Sequence, residues 1–524
     1  MELEQAGQFE IEEAILITST GNIIPVQSSV VEVAIYESIY SNSVMGELQI
    51  VNTIALQNEG PFIGQEYLSM KIKTPTLQDE AFKLKFDENV FHITKVSRNY
   101  ESGAEILTFE FYSSELIHNQ RTLISRTLRG TYHEMVESLL RKDLKCKKRL
   151  YIEQANDTKE YIANNVRPFD IIKNFAKHAT ALHHGLSSFV FFENLRGYHF
   201  RSLQSLYSEG SRFNYFEVAT NTTSGDPSEP GTNNDKINAK VTKDLGTLLG
   251  VKISSNNDTT TTQAAGGLSS RLITHDIVQK KFNVNTYNYL DDKNLQKHGL
   301  EKYATRNAPQ AGRKKDAPLY SSSEVDEDGN RISDFIPVQY LTPVTTIKNK
   351  SGVYKNSQYE VYNGNKKETE YVFDPVKAEN TLQKRRSLFT NLEMGLNLEL
   401  WVNGQTTFGA GDMISVDIQK ESKHSDDRKD KFLRNDFLVK SIKHVFNTAN
   451  KKHHMYLTVA KDSIDEELEE VDHIEPKPVK QQPLFSDDHF YGDINGYDEE
   501  GKNAEASTSN IKSDFPLRSF ASRR

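Results

Sequence analysis

The sequence predicts a mainly β protein with α+β inserts: two copies of one β module, a small barrel or sandwich, in one chain plus a mixed helical/β domain. Three observations predict it. Short segments of alternating apolar and polar residues, separated by turn signals, fill residues 9–115 and return over 388–462. Residues 62–100 can be laid over 408–446 without a gap, at a constant offset of 346. Between the two β stretches lie segments with helical spacing near 131–140 and 168–179.

The repeat is carried by named residues. Phe62, Ser69, Ile72, Lys83, Lys85, Phe86, Asn89 and Phe91 fall on Phe408, Ser415, Ile418, Lys429, Lys431, Phe432, Asn435 and Phe437. The apolar/polar alternation of 68–72 matches that of 414–418. If the repeat is real, the two segments occupy equivalent places in two copies of one module. If their topologies differ, the likeness is only strand alternation.

The elements follow in order. Ile11, Ala14, Leu16 and Thr18 lead to the turn signal Gly21-Asn22. In 31–37, Val31, Val33 and Ile35 share a face, with Glu32 and Glu37 outside that pattern. Alternation returns over 46–52 and 106–111. Strands this short suggest a small barrel or sandwich. Thr131 with Glu134 is a capping box, followed by the stripe Met135, Leu139, Leu140. Pro168 opens a second helix with the stripe Ile171, Ile172, Phe175, Ala176, Ala179. Residues 188–193 and 198–201 read as a hairpin around the turn at 194–197. Residues 220–270 are rich in Thr, Ser, Asn and Gly and read as a long loop or flexible insertion. Residues 308–335 form a second polar stretch, and strands are expected at 272–276 and 282–289. Over 388–462 a meander is expected, with Leu396, Leu398, Leu400 and Val402 on one face and turns at 403–404 and 409–412.

Bulk properties bound the function. The 524 residues suggest several domains, and a mean hydropathy of −0.63 fits domains joined by solvated segments. The net charge is −9, and residues 466–524 hold 14 Asp and Glu against 7 Lys and Arg. The body is therefore near neutral, which argues against a bulk electrostatic grip on nucleic acid. One cysteine, Cys146, forms no intrachain disulfide. Residues 1–5 lack a signal-peptide pattern, and no apolar run reaches the roughly 18 residues of a membrane span. The expectation is a soluble protein made in a cytoplasm.

Candidate chemistry is sparse. The GxG at Gly409-Ala410-Gly411 is followed by a strand rather than a helix and lacks a third glycine, so it reads as a turn. Residues 324–329 resemble the start of a calcium loop. Phe335 stands where the bidentate Glu belongs, so this reads as a solvated acidic loop. His178, His183 and His184 cluster, as do His453 and His454, without a Cys or carboxylate partner at ligand spacing. A metal on a symmetry axis could still take one His per chain. Cys146 sits among Lys145, Lys147, Lys148 and Arg149, cations that could lower a thiol pKa. That run, and Lys384-Arg385-Arg386, are the basic patches that could meet an acidic partner or passing DNA. No catalytic, cofactor-binding or metal-ligating set emerges, and no cofactor is called for.

The order of these pieces resembles the central baseplate hub protein of contractile-tailed, T-even-like bacteriophages. The carrying residues are 31–39 with 45–52, then 63–66, then 167–172 with 189–192 and 200–203, then 403–404 through 411–412 to 437–444. The likeness covers most of residues 9–465 in pattern. It implies residues 1–115 as a first tube-like β-barrel domain and 116–210 as an α+β insert. Residues 211–345 would be mixed strands with long polar insertions, 346–465 a second tube-like β-barrel domain, and 466–524 an acidic extended tail.

The resemblance implies a homotrimer in which three chains make a pseudo-six-fold ring. That ring would join a six-fold tail tube to a three-fold spike and line the channel by which DNA leaves. The implied partners are further copies of the chain, a spike protein and a tube or tube-initiator protein, with tape-measure and baseplate wedge proteins beyond them. DNA would be met only in transit and no membrane entered. The implied location is the virion tail baseplate, assembled in the bacterial host cytoplasm. Two alternatives stand beside it. One is the spike hub of a related contractile injection or secretion machine, whose β-helical needle would need a glycine-rich repeat that 466–524 lack. The other is a tail-associated cell-wall hydrolase.

Overall fold

Alternation makes the first strands, and backbone irregularities decide which residues they bury. In the computed structural model, the first β stretch forms β1 (Glu10–Ile17), β2 (Ile23–Pro25), β3 (Val30–Ser38), β4 (Met45–Val51), β5 (Tyr67–Lys73), β6 (Leu84–Lys85), β7 (Phe91–Glu101) and β8 (Ala104–Ser113). A bulge in β3 lies between Val30 and Glu32. It corrects the expected inward face: Val30, Val33, Ile35 and Glu37 are buried, while Val31 is only half-buried. The bulge adds one residue and so resets the two-residue period.

The structure describes the chain apart from residues 1–5, 53–61, 75–83, 87–88, 102, 157, 184, 218–243, 255–258, 268, 278–279, 290–302, 305–337, 342–345, 350–370, 375–377, 420–428 and 465–524. The polar stretch 308–335, the acidic loop 324–329 and the tail 466–524 lie outside the described residues.

The insert follows as α1 (Ser114–Arg121), β9 (Thr127–Thr131), α2 (Tyr132–Ser138), β10 (Leu150–Ile152), β11 (Thr158–Ile162), α3 (Pro168–His178), β12 (Phe189–Asn194), β13 (Gly197–Ser202) and α4 (Leu203–Tyr207). The capping box forms: the Glu134 amide donates to Thr131 Oγ1, and the Thr131 amide donates to the Glu134 carboxylate at 2.9 Å. Pro168 opens α3, which buries Phe169, Ile171, Ile172, Phe175 and Ala176 against the β12–β13 hairpin. Nearly all of that hairpin is buried, on both faces.

The chain then returns to the large sheet with β14 (Asn214–Phe216) and β15 (Leu248–Ile253), followed by helix α5 (Thr259–Ala264). This corrects the loop reading of 220–270. The composition there is polar, but Leu248 and Val251 supply enough apolar surface to join a core. Next come β16 (Ser269–Asp276), β17 (Lys281–Asn288), β18 (Tyr303–Ala304), β19 (Val338–Leu341), β20 (Thr346–Asn349), β21 (Tyr371–Asp374) and helix α6 (Arg385–Met394). The meander therefore starts after α6 rather than at residue 388. Its strands are β22 (Leu396–Asn403), β23 (Met413–Gln419), β24 (Lys429–Asn447) and β25 (Lys452–Lys461), and a short β26 (Ser463–Ile464) pairs with β18.

One 14-stranded sheet holds both β stretches, in the order β15-β22-β25-β24-β3-β4-β8-β7-β5-β1-β2, with β6, β14 and β23 off that path. The order is a tandem repeat. β15, β22, β25 and β24 stand in one copy as β3, β4, β8 and β7 stand in the other, and β23 flanks β24 as β5 flanks β7. The registers match. Tyr67 and Leu68 face His92 and Phe91; at the offset of 346, Met413 and Ile414 face Leu438 and Phe437. Both copies bulge at the same place, between Ile93 and Lys95 and between Val439 and Ser441. The β3 bulge also recurs: Val30 and Glu32 face Ile50 and Gln49, and Leu248 and Gly250 face Val402 and Trp401. Strand alternation alone would not reproduce two bulges. The copies differ at their margins, where β5 pairs antiparallel with β1 and β23 pairs parallel with β14.

Each copy has its own apolar core. A further cluster, including Ile39, Phe192, Leu203, Leu392, Met413 and Leu438, joins the insert and α6 to both. The described residues all fall within one compact unit, Met1–Glu469. No described helix is long and apolar enough to cross a membrane.

Candidate functional site

The two copies meet where β24 pairs antiparallel with β3, from Ser441 opposite Ser38 to Asn447 opposite Glu32. Alternation directs Val33, Ile35, His444 and Phe446 inward at this seam, and all four are fully buried. On the outer face the Lys443 ammonium lies 5.4 Å from the Tyr36 ring centroid. The seam continues the ladder of each module, so one chain presents two modules edge to edge.

A buried polar knot locks this seam to the insert. Glu37, at the end of β3, accepts from the Leu195 amide at 3.0 Å and the Ala410 amide at 2.9 Å. One carboxylate thus holds the first module, the β12–β13 turn and the β22–β23 turn together. Asn194 donates to the Ala410 carbonyl at 3.0 Å, and Arg196 pairs with Asp412. Asp412 in turn accepts from the Gly409 amide at 2.8 Å. The GxG residues are therefore a structural turn whose amide feeds Glu37, and Gly411 has φ +90. Burial pushes the Glu37 carboxyl up to about 7, against the pull of its two amide donors and Arg196.

His444 stands 3.8 Å from Glu37 and meets His453 at 3.1 Å, Nδ1 to Nε2. Burial lowers His444 to about 3 and holds His453 well below the ordinary histidine value, so both are neutral. His453 stacks on Phe446 with 3.9 Å between ring centroids. It also crowds Gly404, where a Cβ would lie 2.0 Å from its Cγ. The expected His453–His454 pair is thus really His453 with His444, whose spacing of nine residues reads as unrelated until β24 and β25 pair. Of the other cluster, His178 has its pKa lowered by burial, and His184 lies outside the described residues. Among the described residues no three His, Cys, Asp or Glu are placed to hold a metal.

Within the basic run only Lys148 serves internal structure, while Lys145, Lys147 and Arg149 are exposed. Lys148 is buried and bonded to Glu115 at 2.7 Å and Glu193 at 2.6 Å. Burial opposes its charge, but the two carboxylates hold its pKa above the ordinary lysine value. Glu193 also accepts from the Val44 amide at 2.8 Å, tying the insert to the first module. Cys146 is buried and its thiol is pushed up to about 12, so the neighbouring cations do not activate it. In the second basic cluster, Arg385 donates to the Ala176 and Phe189 carbonyls at 3.0 Å each, which anchors α6 to the insert. Arg149, Arg196, Lys85 and Arg212 line an open cleft of about 560 Å³ beside the seam.

Sequence reasoning missed Glu37 as the centre of this knot. Its signal was present: Glu37 follows Val33 and Ile35 at the two-residue period, so it had to point inward.

No family model and no curated protein matches the sequence. Solved structures that do match include a tail protein from Neisseria meningitidis MC58, at 9% identity and a TM-score of 0.47, covering 87% of this chain and 97% of that one. A 43 kDa tail protein of prophage MuSo2 from Shewanella oneidensis matches at 9% identity and 0.44, covering 87% and 100%. A type VI secretion component from E. coli, described as similar to T4 bacteriophage tail proteins, matches at 9% identity and 0.37, covering 88% and 80%. Likeness at this level leaves the functional reading to rest on the chain's own geometry.

Proposed function

We propose that this chain is the central hub of a contractile-tail baseplate. It acts as a homotrimer whose three chains present six β modules around one axis. The ring joins a six-fold tail tube to a three-fold spike and surrounds the channel through which DNA leaves. One observation carries the reading: two copies of a module, with equal registers and equal bulges, lie edge to edge in one sheet. A chain that contains its neighbour's copy converts three-fold symmetry into six near-equivalent positions. The hub-like order of sequence pieces supports the same assignment. The buried knot at Glu37 fits a part that must hold two modules and an insert rigidly. The partners are then further copies of the chain, the spike and the tube, and the site of action is the virion tail.

The test is the mass of the purified full chain in solution, together with its capture of a trimeric spike protein. A mass three times 59.7 kDa with spike binding is the expected result. A monomer that binds neither spike nor tube protein overturns the proposal.

A further inference from the structure

The seam inside the chain is a template for a contact between chains. At the seam, β24 of one module pairs with β3 of the other. By the repeat, β7 corresponds to β24 at an offset of 346, and β15 corresponds to β3 at an offset of 218, fixed by the shared bulge. Among the described residues, β15 has a strand neighbour on one side only, β22. β7 meets β5 only at His92 and Phe91, so from Lys95 onward its described neighbour is β8 alone. Each chain therefore carries one made seam and the two halves of a second.

The side chains agree. Phe446 and Ile35 are fully buried in the made seam, whereas their counterparts Tyr100 and Ile253 are 78% and 53% exposed. Large apolar groups stand in water at the positions where the other copy buries them. Two edges of one chain that each match half of an internal contact fit a second copy of the chain better than any foreign strand.

We propose that β7 of one copy pairs antiparallel with β15 of a second copy, in the register of the internal seam. Val445 faces Ala34, so Asn99 faces Lys252 of the second copy. In the same register Arg98 faces Ile253 and Tyr100 faces Val251. The contact is head-to-tail and closes into a ring after three copies. It rests on the trimeric hub reading and adds its edges and register.

The register has a consequence for cross-linking. The seam bonds from Ile39 to Lys440 and from Thr448 to Val31 place Val445 and Ala34 at a non-hydrogen-bonded position. Such pairs hold their Cα atoms about 4.5 Å apart, within reach of a disulfide. Cys146 is the sole native cysteine and is buried, so background is low.

The experiment uses the full chain carrying Asn99→Cys and Lys252→Cys. Its mass is measured reduced, and it is then oxidised in air, two thiols giving two protons and two electrons to oxygen. A denaturing gel without reductant should show covalent dimer and trimer that collapse on reduction. The diagonal pair Asn99→Cys with Ser254→Cys, some 7–8 Å apart, should not cross-link. A trimer that fails to cross-link, or that links equally through the diagonal pair, overturns this register and leaves the trimeric hub standing. A monomer overturns both.

Discussion

At the scale of single residues, Glu37 and Lys148 do what the sequence does not advertise. Each is an ionisable group largely taken out of water to tie separate segments together, and each should be costly to remove. Lys148→Ala leaves Glu115 and Glu193 facing each other in a buried site, and should destabilise the fold by about 3 kcal/mol or more, read as a fall in denaturation midpoint. Glu37 makes a pH prediction. Its folded pKa of about 7 lies above the ordinary carboxylate value of 4.5, so the folded chain holds a proton that the unfolded chain releases. The stabilisation is fully present below pH 4.5 and is lost as pH rises toward 7, an effect of about 3 kcal/mol. Between those pH values, the stability of the wild type relative to Glu37→Gln should fall with rising pH. A flat difference in denaturant melts would contradict the buried-carboxyl account.

At the scale of elements, the bulges explain both what was legible and what was not. The alternation of 68–72 and 414–418 correctly marks β5 and β23, because periodicity is local and each strand has one buried face. The bulge at Val30 could not be read, since it is set by pairing with β4. Low identity between the copies has a packing reason too. One cross-strand position holds Gly46 opposite Phe111 in the first copy and Leu398 opposite Val459 in the second. A Cβ on Gly46 would lie 2.3 Å from the Phe111 ring and 2.5 Å from the Ala34 carbonyl oxygen. Gly46→Ala should therefore destabilise by about 2 kcal/mol, while Leu398→Ala, which opens a cavity instead, should cost about 3. Thermal melts of the two variants check both values.

At the scale of the whole molecule, the seam, the knot and both predicted pairing edges all lie within one compact unit and before Asp465. A chain cut after Asp465 should keep the denaturation midpoint of the full chain and, on the proposed hub assembly, its trimeric mass, as measured by calorimetry and light scattering. Loss of the trimer on truncation would move the assembly contact into the tail. By itself the sequence determined the β character, the helix caps at Thr131 and Pro168, and the offset of 346, because each is written in periodicity or in neighbouring residues. Only the tertiary structure decided that the second module takes its first strand from Leu248–Ile253, on the far side of α6, and that His444 meets His453 and Glu37. Those choices depend on which edges pair across hundreds of residues. Pairing energy comes from partners that local pattern does not name, so the repeat was visible in the sequence while the seam that joins its two copies was not.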